Sequence, residues 1–368
     1  GALYTDEGFY STDAITWYLD GRWYTPNEYN QYIALPLLQY IQGFFFWLAG
    51  GPSLLVVRAI NLGFTMAWAG ATWVVFQRLV GWRWATLGVA MILLNHTTFA
   101  MSRFALAEMP MSFFATAALA CALHASGRWA YAWAAACALL YSCAILCKIN
   151  GVYLAPVIAV VMIAVDCRWK PVAIKFALCS ALFFLPLAVH YYVVVRPIPD
   201  EVAYFFSLNA GPKADFSWAR LSGTFWFIYS TFGFADLTLF GALSFFLPWA
   251  VLIFGGRERG NLLLWLALLW FVLFLMLYSF YGQIYARFQT AAYPAFHGLV
   301  LACLVVLWRR RQQFWYLLPV AGYFLAFSTW GNAHRVYSYA FEAKNTYNEM
   351  AADIARQIDA DPSGNRVI

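Results

Sequence analysis

The sequence predicts an all-α polytopic membrane protein, and three observations support that prediction. Of its 368 residues, 63% are hydrophobic and only 11% are charged, and the mean hydropathy is +0.64. A soluble globular protein carries about 25% charged residues, so a chain this apolar could not cover its surface with polar side chains. The apolar residues are also gathered into runs long enough to cross a bilayer, about 17–25 residues each.

Charged and turn residues divide the chain into about ten such runs, each expected to form a transmembrane helix. The segment 36–49 is too short to span, and its pattern is typical of an interfacial or re-entrant helix. The predicted spans lie near 54–77, 85–101, 109–126, 129–147, 151–166, 173–195, 236–254, 262–281, 290–308 and 314–331.

The positive charges predict which side of the membrane each loop faces. Alternate connections between the spans hold eleven of the 23 basic residues but only two of the 17 acids, Asp166 and Glu258. Because short cytoplasmic loops are rich in Lys and Arg, these connections are predicted to be cytoplasmic. The net charge of +6 is spread over such loops, so it indicates membrane anchoring and not a nucleic-acid partner. The loops predicted to face outward carry every other carboxylate and comprise residues 1–50, 102–108, 196–235, 282–289 and the tail from 332.

Three stretches of this outer side hold more polar chemistry than membrane anchoring requires. The first, DEGFYSTDAITWYLDGRWYTPNEYN at 6–30, is an amphipathic loop rich in Trp and Tyr, side chains that settle at the headgroup level. The second, SRFALAEMP, places Arg103 and Glu108 beside a span end. The third, YGQIYARFQTAAYP, places Tyr285 and Arg287 before another span. Charged residues at span ends are usually interfacial anchors, and that alternative stands beside the functional one for each of these residues.

Glu108 and Lys148 fit the anchoring alternative least well. Each lies at an abrupt junction between apolar runs, with almost no polar loop to solvate it. An ionisable group held at membrane depth is costly and is therefore a functional candidate.

The histidines and cysteines predict no metal centre. His96, His124, His190 and His297 lie within or at the ends of spans and form no spaced ligand set. The seven cysteines lie almost entirely inside apolar runs, so they predict neither a zinc site nor a disulfide framework.

Taken in chain order, the polar motifs resemble those of the GT-C glycosyltransferases. The chain is similar over nearly its whole length to the dolichyl-phosphate-mannose protein mannosyltransferase-like superfamily, whose relatives include the lipid A aminoarabinose transferases. The resemblance implies a GT-C-like bundle with about ten transmembrane helices in this fragment and an amphipathic first outer loop. The matching motifs are Asp6-Glu7 followed by Tyr10, Gly21-Arg22-Trp23, Pro36-Leu37, Arg58 at the head of a span, SRFALAEMP, CKING and YARFQTAAYP.

The resemblance implies an inverting glycosyltransferase. Enzymes of this superfamily move a sugar from a polyprenyl-phosphate carrier to an acceptor hydroxyl on the outer face. On this sequence the catalytic acids would be Asp6 and Glu108, and the donor phosphate would bind Lys148, Arg287 and Arg103. The implied partners are a polyprenyl-phosphate-linked sugar donor, a lipid, glycan or protein acceptor, and membrane lipids.

Four further residues receive supporting roles from the resemblance. Glu7 would hydrogen-bond the loop, or bind a divalent cation such as Mg or Mn if one is used; no other cofactor is implied. Tyr10, Tyr285 and His334 would contact the substrates. The chemistry agrees with these roles, because a carboxylate can take the proton of an acceptor hydroxyl and Lys or Arg can stabilise a departing phosphate.

The resemblance also implies how the chain is organised. Residues 1–50 would form the first extracytoplasmic loop with interfacial helices, 51–331 the transmembrane bundle, and 332–368 the start of an extracytoplasmic C-terminal region. The family has one more span before its acidic pair and a longer C-terminal part, so the sequence is expected to be a fragment. The expected location is the bacterial inner membrane, with the active site facing the periplasm or the exterior.

Two other functions agree with the composition. A transporter or flippase of lipid-linked sugars would place polar groups near the bilayer midplane and commonly has repeated halves, whereas these acids are predicted at the outer rim and no internal repeat is visible. A non-catalytic scaffold would not need carboxylates and cations to converge.

One departure from the family pattern bears on the sugar donor. The aminoarabinose branch has an acid–Lys pair just before its first-loop proline, where this chain has Ala34 and Leu35. The departure argues against aminoarabinose as the transferred sugar.

Overall fold

The computed structural model describes residues 10–26, 28, 30–104, 106–209, 217–229, 262–281, 291–312, 315 and 318–337. Within these residues every element of regular structure is a helix, as predicted. In chain order they are α1 (Thr12–Asp20), α2 (Gln31–Ala34), α3 (Pro36–Ala49), α4 (Leu54–Val80), α5 (Trp82–Leu93), α6 (His96–Ser102), α7 (Glu108–His124), α8 (Ala130–Cys147), α9 (Ala155–Val165), α10 (Trp169–His190), α11 (Pro199–Asn209), α12 (Trp218–Tyr229), α13 (Leu262–Tyr281), α14 (Tyr293–Arg309) and α15 (Leu318–Tyr337). Short 3₁₀ helices cover Gly127–Trp129 and Ile149–Leu154, and a π-helical segment, Tyr191–Val195, extends α10.

Several of these helices can cross a membrane, so the chain is an integral membrane protein. By length and composition, four apolar helices of the described residues suffice alone: α4, Gly127–Cys147, Trp169–Val195 and Leu262–Ser279. A fifth is added if α5 and α6, which meet at a bend of 69°, form one broken span. α14 and the segment Ile149–Val165 are apolar but shorter. The predicted number of about ten spans is therefore not confirmed, and the predicted span 236–254 lies outside the described residues.

α7 lies in the core of the bundle, where it packs against α4, α8 and α9. Most of its 17 residues are buried, and Ala118 and Ala122 are both 0% exposed. A helix that is apolar all round is either buried in protein or exposed to lipid, and the low exposure of α7 shows that it is buried in protein. Small side chains on α7 and on α8, such as Ala134, let membrane helices approach closely. The N-terminus of α7, which begins with Glu108, is thereby fixed inside the protein.

The run predicted as one span at 85–101 is broken between α5 and α6. Asn95 is the N-cap of α6, and its side chain accepts hydrogen bonds from the backbone N–H groups of Thr97 and Thr98. Because an asparagine in this position satisfies the free N–H groups of a new helix, it favours a fresh start over continuation of α5. The predicted span at 85–101 is therefore made of two helices that meet at a 69° bend instead of one continuous helix.

Asn61 in α4 fixes the chain between α6 and α7. Its side-chain amide donates to the carbonyl oxygens of Met101, at 3.1 Å, and Phe104. Asn61 is 2% exposed, and a buried amide needs such partners. The contact anchors the turn that precedes Glu108 to the neighbouring helix.

α3 buries its polar side and exposes an apolar one. Gln39 and Gln42 are buried, whereas Phe44, Trp47 and Leu48 are each more than half exposed. A helix on a soluble protein is arranged the other way round, and an exposed aromatic face is typical of a helix that lies against lipid. The pattern supports the interfacial helix expected at 36–49.

The aromatic residues of the first loop stack on one another. The ring of Trp23 lies between Trp17, with centroids 4.7 Å apart, and Tyr32, with centroids 5.3 Å apart, and both pairs are nearly parallel. Gly43 in α3 leaves room for this stack, because a Cβ there would lie 2.9 Å from Trp23 Cη2. Both faces of Trp23 are covered, so its ring joins the loop to α3.

A buried lysine fixes the predicted cytoplasmic end of the bundle. Lys175 is 0% exposed; its Nζ donates to the carbonyl oxygen of Ala125 at 2.7 Å and lies 3.2 Å from Asp166 Oδ2. The hydrogen bond from Arg168, with Lys175 as the second cation, holds the pKa of Asp166 below its usual range. The connection between α7 and α8 is thus tied to the connection between α9 and α10.

Candidate active site

Glu108 and Lys148 form an ion pair inside the bundle. Lys148 Nζ lies 2.6 Å from Glu108 Oε1, and the two side chains are 10% and 1% exposed. Glu108 occupies the first turn of α7, and Lys148 is the C-cap of α8. The helix dipoles favour this placement, because an acid is stabilised at a helix N-terminus and a cation at a C-terminus. The sequence offers almost no polar loop to solvate Glu108 or Lys148, and in the structure the two opposite charges neutralise each other.

Tyr10 joins this pair from the first loop. Its hydroxyl oxygen accepts a hydrogen bond from Lys148 Nζ at 3.2 Å, and its ring centre lies 5.3 Å from the same nitrogen. The Tyr10 ring packs among buried apolar residues, namely Leu35, Leu38, Leu106 and Ala107. Three of the residues predicted for the site, Tyr10, Glu108 and Lys148, are thus brought together; they are called the site cluster below.

Two polar residues of the neighbouring helices extend the site cluster. Asn150 Nδ2 donates to the hydroxyl of Tyr278 at 3.1 Å, and both residues are buried. Burial alone lowers the pKa of Lys148, but Glu108, Tyr10 and Tyr278 outweigh it and raise that pKa above its ordinary value. Lys148 is therefore a cation at physiological pH. Tyr278 was missed by sequence analysis, since nothing in the apolar run of α13 distinguishes it from an aromatic residue at the membrane interface.

Arg103 lies apart from the buried pair. Its side chain is exposed, and its guanidinium carbon lies 5.3 Å from the ring centre of Phe99. Arg58 is similar, with its guanidinium carbon 6.0 Å from the ring centre of Phe104. The predicted phosphate contact of Arg103 thus remains a prediction for an exposed side chain.

His334 is exposed near the end of α15, where the nearby Asn332 docks the helix. Asn332 Oδ1 accepts a hydrogen bond from the backbone N–H of His96 at 3.1 Å and lies 2.8 Å from His96 Nδ1. The C-terminal end of α15 is therefore held at the break between α5 and α6. Neither of these two contacts involves His334, and its expected substrate contact stays a prediction.

Four predicted site residues, Asp6, Glu7, Tyr285 and Arg287, lie outside the described residues. The roles expected for these four residues therefore stay predictions.

A further acid of the first loop, Asp13, is buried at 2% exposure. Its carboxylate accepts a hydrogen bond from the backbone N–H of Tyr32. Burial raises the pKa of Asp13 to about 7, against the lowering effect of that hydrogen bond. Sequence analysis missed this residue, because an acid in a polar loop is ordinarily solvated.

The part of the chain that the structure describes contains no group of three or more His, Cys, Asp or Glu side chains that could hold a metal ion. Glu108 directs one oxygen at an ammonium group, which disfavours a cation on that same oxygen. Glu7, the residue considered for a divalent cation, lies outside the described residues, so that cation stays a prediction and no chemical step below depends on one.

An apolar groove of about 600 Å³ runs between α3 and α4. The lining residues are Phe45, Leu48, Ala49, Val56, Ala59, Ile60, Gly63, Phe64 and Ala67.

No family model matches the chain, and no curated protein matches it. Solved structures do match. The crystal structure of ArnT from Cupriavidus metallidurans bound to undecaprenyl phosphate is 18% identical with a TM-score of 0.61, over 91% of this chain and 66% of that chain. ArnT in the apo state is 19% identical with a TM-score of 0.61, over 83% of this chain and 55% of that chain.

The archaeal oligosaccharyltransferase AglB is similar to a lesser degree. The AglB structure from Archaeoglobus fulgidus in complex with an inhibitory peptide and a dolichol-phosphate is 13% identical with a TM-score of 0.53, over 92% of this chain and 52% of that chain. The chain therefore spans between about half and two thirds of the proteins it matches. At these identities the likeness shows the fold, and it confirms the resemblance inferred from the motif order: the chain has the GT-C fold that ArnT and AglB share.

Proposed function

We propose that the protein is an inverting glycosyltransferase that moves a sugar from a polyprenyl-phosphate carrier to an acceptor hydroxyl. The observation that carries the proposal is the site cluster, in which a carboxylate, an ammonium group and a phenol meet inside a GT-C bundle. A purely structural bundle would more cheaply fill this position with apolar side chains, because burying an ion pair costs desolvation energy.

The chemistry requires a base and a cation. As the acceptor oxygen attacks the anomeric carbon, the carbon–oxygen bond to the carrier phosphate breaks, and the hydroxyl proton passes to a carboxylate. We assign that base to Asp6, with Glu108 as the second acid of the site. The polyprenyl phosphate leaves as an anion, so it needs positive charge more than a proton. We assign that charge to Lys148 together with Arg287 and Arg103.

Lys148 has two tasks under this assignment. In the structure its charge is paired with Glu108, which keeps the cation in place before the donor arrives. A bound phosphate would share the ammonium group, since Lys has three donor hydrogens. Tyr10, already within hydrogen-bonding distance of Lys148 Nζ, would steady the ammonium group as the phosphate departs. Tyr285 and His334 are assigned to substrate contacts, and Glu7 to support of the loop.

The choice of donor rests on the similar proteins. One ArnT structure is bound to undecaprenyl phosphate, and one AglB structure is in complex with a dolichol-phosphate. We therefore propose a polyprenyl-phosphate donor for this chain, with a lipid, glycan or protein as acceptor. We further propose the bacterial inner membrane as the location, with residues 1–50 and the region from 332 on the outer side of the bundle 51–331.

One observation favours a second candidate, a transporter or flippase of lipid-linked sugars. The broken span formed by α5 and α6, with its 69° bend, is a device that transporters use at substrate sites. The polar residues at that bend, Asn95 and His96, are engaged by the protein itself. The site cluster, in contrast, lies at helix termini, so we prefer the transferase.

The two functions are separated by incubating the purified protein with radiolabelled polyprenyl-phosphate sugars and a panel of acceptors. A transferase will release free polyprenyl phosphate in detergent solution, where transport has no meaning. A flippase will move the labelled lipid across vesicles and leave the sugar–phosphate bond intact. Absence of release with every donor in the panel would contradict the proposal.

The assignment of the base is tested with Asp6→Asn in the longest chain that expresses. Transfer should be lost while expression and donor binding remain, because the amide cannot accept the hydroxyl proton. Asp20→Asn, an exposed acid in the same loop, is the matched control and should keep full turnover. Normal turnover in Asp6→Asn would remove Asp6 from the mechanism.

A further inference from the structure

Gln39 is the most deeply buried polar residue of α3, at 0% exposure. It lies on the side of α3 that faces the protein, while the opposite side presents Phe44 and Trp47 to the surroundings. A buried amide group is costly unless its donors and its acceptor are hydrogen-bonded. The partners of Gln39 therefore indicate why a polar residue stands at this position.

Both ends of the Gln39 amide bind the first turn of α1. Its Oε1 accepts a hydrogen bond from the backbone N–H of Ala14 at 3.0 Å, and its Nε2 donates to the carbonyl oxygen of Tyr10 at 2.8 Å. Ala14 is the third residue of α1 after the N-cap Ser11, so its N–H is one of those that lack an intrahelical partner.

The N-cap residue does not satisfy that N–H group itself. Ser11 is a favoured N-cap residue, yet its side chain makes no capping hydrogen bond. Asp13, also in the first turn, directs its carboxylate to Tyr32 instead. Gln39 thus caps α1 from a different helix, and the same amide holds the Tyr10 backbone.

Tyr10 transmits this contact to the site. Its backbone is held by Gln39, and its hydroxyl meets Lys148 Nζ at the other end of the side chain. Leu38, the residue before Gln39, belongs to the same buried apolar cluster as Tyr10. α3 therefore holds the main chain of Tyr10 and contributes to the apolar cluster that contains its ring.

From this arrangement we propose that Gln39 is a positioning residue for the site: its amide sets where Tyr10 meets Lys148. The expected effect of Gln39 on turnover rests on the transferase function proposed above. The expected effect of Gln39 on the surroundings of Lys148 does not depend on that function. A misplacement of about 1 Å at a catalytic group can lower a rate by about 100-fold.

The test compares Gln39→Met with Gln42→Met. Both glutamines are buried on the same side of α3, one turn apart, but of the two it is Gln39 that is hydrogen-bonded to the Tyr10 backbone. Gln39→Met should lower kcat by about 10- to 100-fold with little change in KM for the acceptor, and Gln42→Met should leave kcat within a few-fold of the parent. Equal effects of the two variants would overturn the proposal.

A double-mutant cycle with Tyr10→Phe distinguishes positioning from general stability. If Gln39 acts through Tyr10, the double variant Gln39→Met/Tyr10→Phe should be no slower than the slower single variant. Multiplied losses would show that Gln39 acts independently of the Tyr10 hydroxyl and would overturn the proposal.

The second measurement is chemical labelling of lysines by an amine-reactive reagent, read by mass spectrometry, which needs no activity. Gln39→Met should increase labelling of Lys148 and leave the remote, fully buried Lys175 unlabelled. If the parent protein transfers no sugar, the labelling result still decides the role of Gln39. Unchanged labelling of Lys148 would overturn it.

Gln39→Glu keeps the inference falsifiable if the Met variant fails to fold. A glutamate can still accept from Ala14, but only its protonated form can donate to the carbonyl oxygen of Tyr10. Turnover of Gln39→Glu relative to the parent should therefore rise as the pH falls, and Lys148 labelling should fall with it. A pH profile parallel to that of the parent would overturn the proposal.

Discussion

Glu108 and Lys148 are 40 residues apart in the chain and 2.6 Å apart in space, with less than about a tenth of either side chain exposed. Glu108 is the first residue of α7 and Lys148 is the C-cap of α8, and these two helices pack side by side. The pair therefore fixes the relative height of two neighbouring helices as well as the charge of the site.

The first prediction follows from the burial of this pair. Glu108→Gln leaves the Lys148 ammonium group without its carboxylate, and removing one partner of a buried ion pair typically costs about 3–5 kcal/mol. The double variant Glu108→Gln/Lys148→Met should be more stable than Glu108→Gln, because no uncompensated charge remains. The measurement is the free energy of unfolding in detergent for the single and double variants.

One outcome of these stability measurements would contradict the prediction. If the double variant loses stability by the sum of the two single losses, then the two side chains are not coupled, and the ion pair does not exist in solution. Arg103→Gln serves as the control, since Arg103 is exposed and its replacement should change stability by about 0.5 kcal/mol or less.

The sequence could predict the class of fold and part of the site. Composition and apolar run length indicate a helical membrane protein, and the abrupt junctions at Glu108 and Lys148 mark both as functional candidates. Sequence spacing alone did not predict their contact, because it depends on how α7 and α8 pack. The break at Asn95 was missed because apolar residues continue across it, although an asparagine is also a strong N-cap signal.

The first loop shows most clearly what a sequence pattern cannot predict, namely burial that arises from tertiary contacts. Asp13 stands in a loop rich in polar and aromatic residues, where an acid would ordinarily be solvated, and Gln39 stands in a segment expected to lie at the membrane interface. Their burial arises because α1 and α3 fold against each other and enclose them. Such burial depends on tertiary contacts, so no local pattern could reveal that Gln39 caps another helix.

The second prediction concerns the pH dependence of stability through Asp13. Because its folded pKa is raised to about 7 from 3.8, the folded state binds the proton more tightly than the unfolded state. The stabilisation is complete below about pH 4 and is lost as the pH rises to about 7. Asp13→Asn removes this titration, since the amide oxygen can still accept from Tyr32 while carrying no charge.

The measurement is the melting temperature of the parent and of Asp13→Asn from pH 5 to pH 8. The variant should gain on the parent steadily as the pH rises, and the difference should level off above about pH 7. Asp20→Asn is the control, since Asp20 lies in the same helix and is exposed. A pH-independent difference for Asp13→Asn would show that Asp13 is solvated.

The third prediction concerns the aromatic stack of the first loop. In Gly43→Ala, the added Cβ would lie 2.9 Å from Trp23 Cη2 and 3.0 Å from Trp17 Cε3, so both rings must move. Overpacking of this kind costs about 1–3 kcal/mol. Gly63→Ala in α4 adds a methyl group with no heavy atom within 4 Å and should be neutral or slightly stabilising.

Tryptophan fluorescence and limited proteolysis of the first loop report on this change. Gly43→Ala should shift the emission and increase cleavage between Trp17 and Tyr32, while Gly63→Ala should do neither. Equal behaviour of the two variants would mean that the stack does not pack on α3.

The last prediction concerns Asn61, whose side-chain amide holds the turn before Glu108 through the carbonyl oxygens of Met101 and Phe104. Asn61→Leu leaves both carbonyl groups without this donor, at a cost of about 1–3 kcal/mol for each buried group. Because the freed turn leads directly into Glu108, kcat should fall together with stability. Thr65→Val is the matched control: Thr65 lies one turn further along the same buried side of α4, and its hydroxyl donates to the carbonyl oxygen of Asn61 in its own helix. It should change both quantities little, and a loss in Thr65→Val as large as that in Asn61→Leu would show that the turn is held by something other than the Asn61 amide.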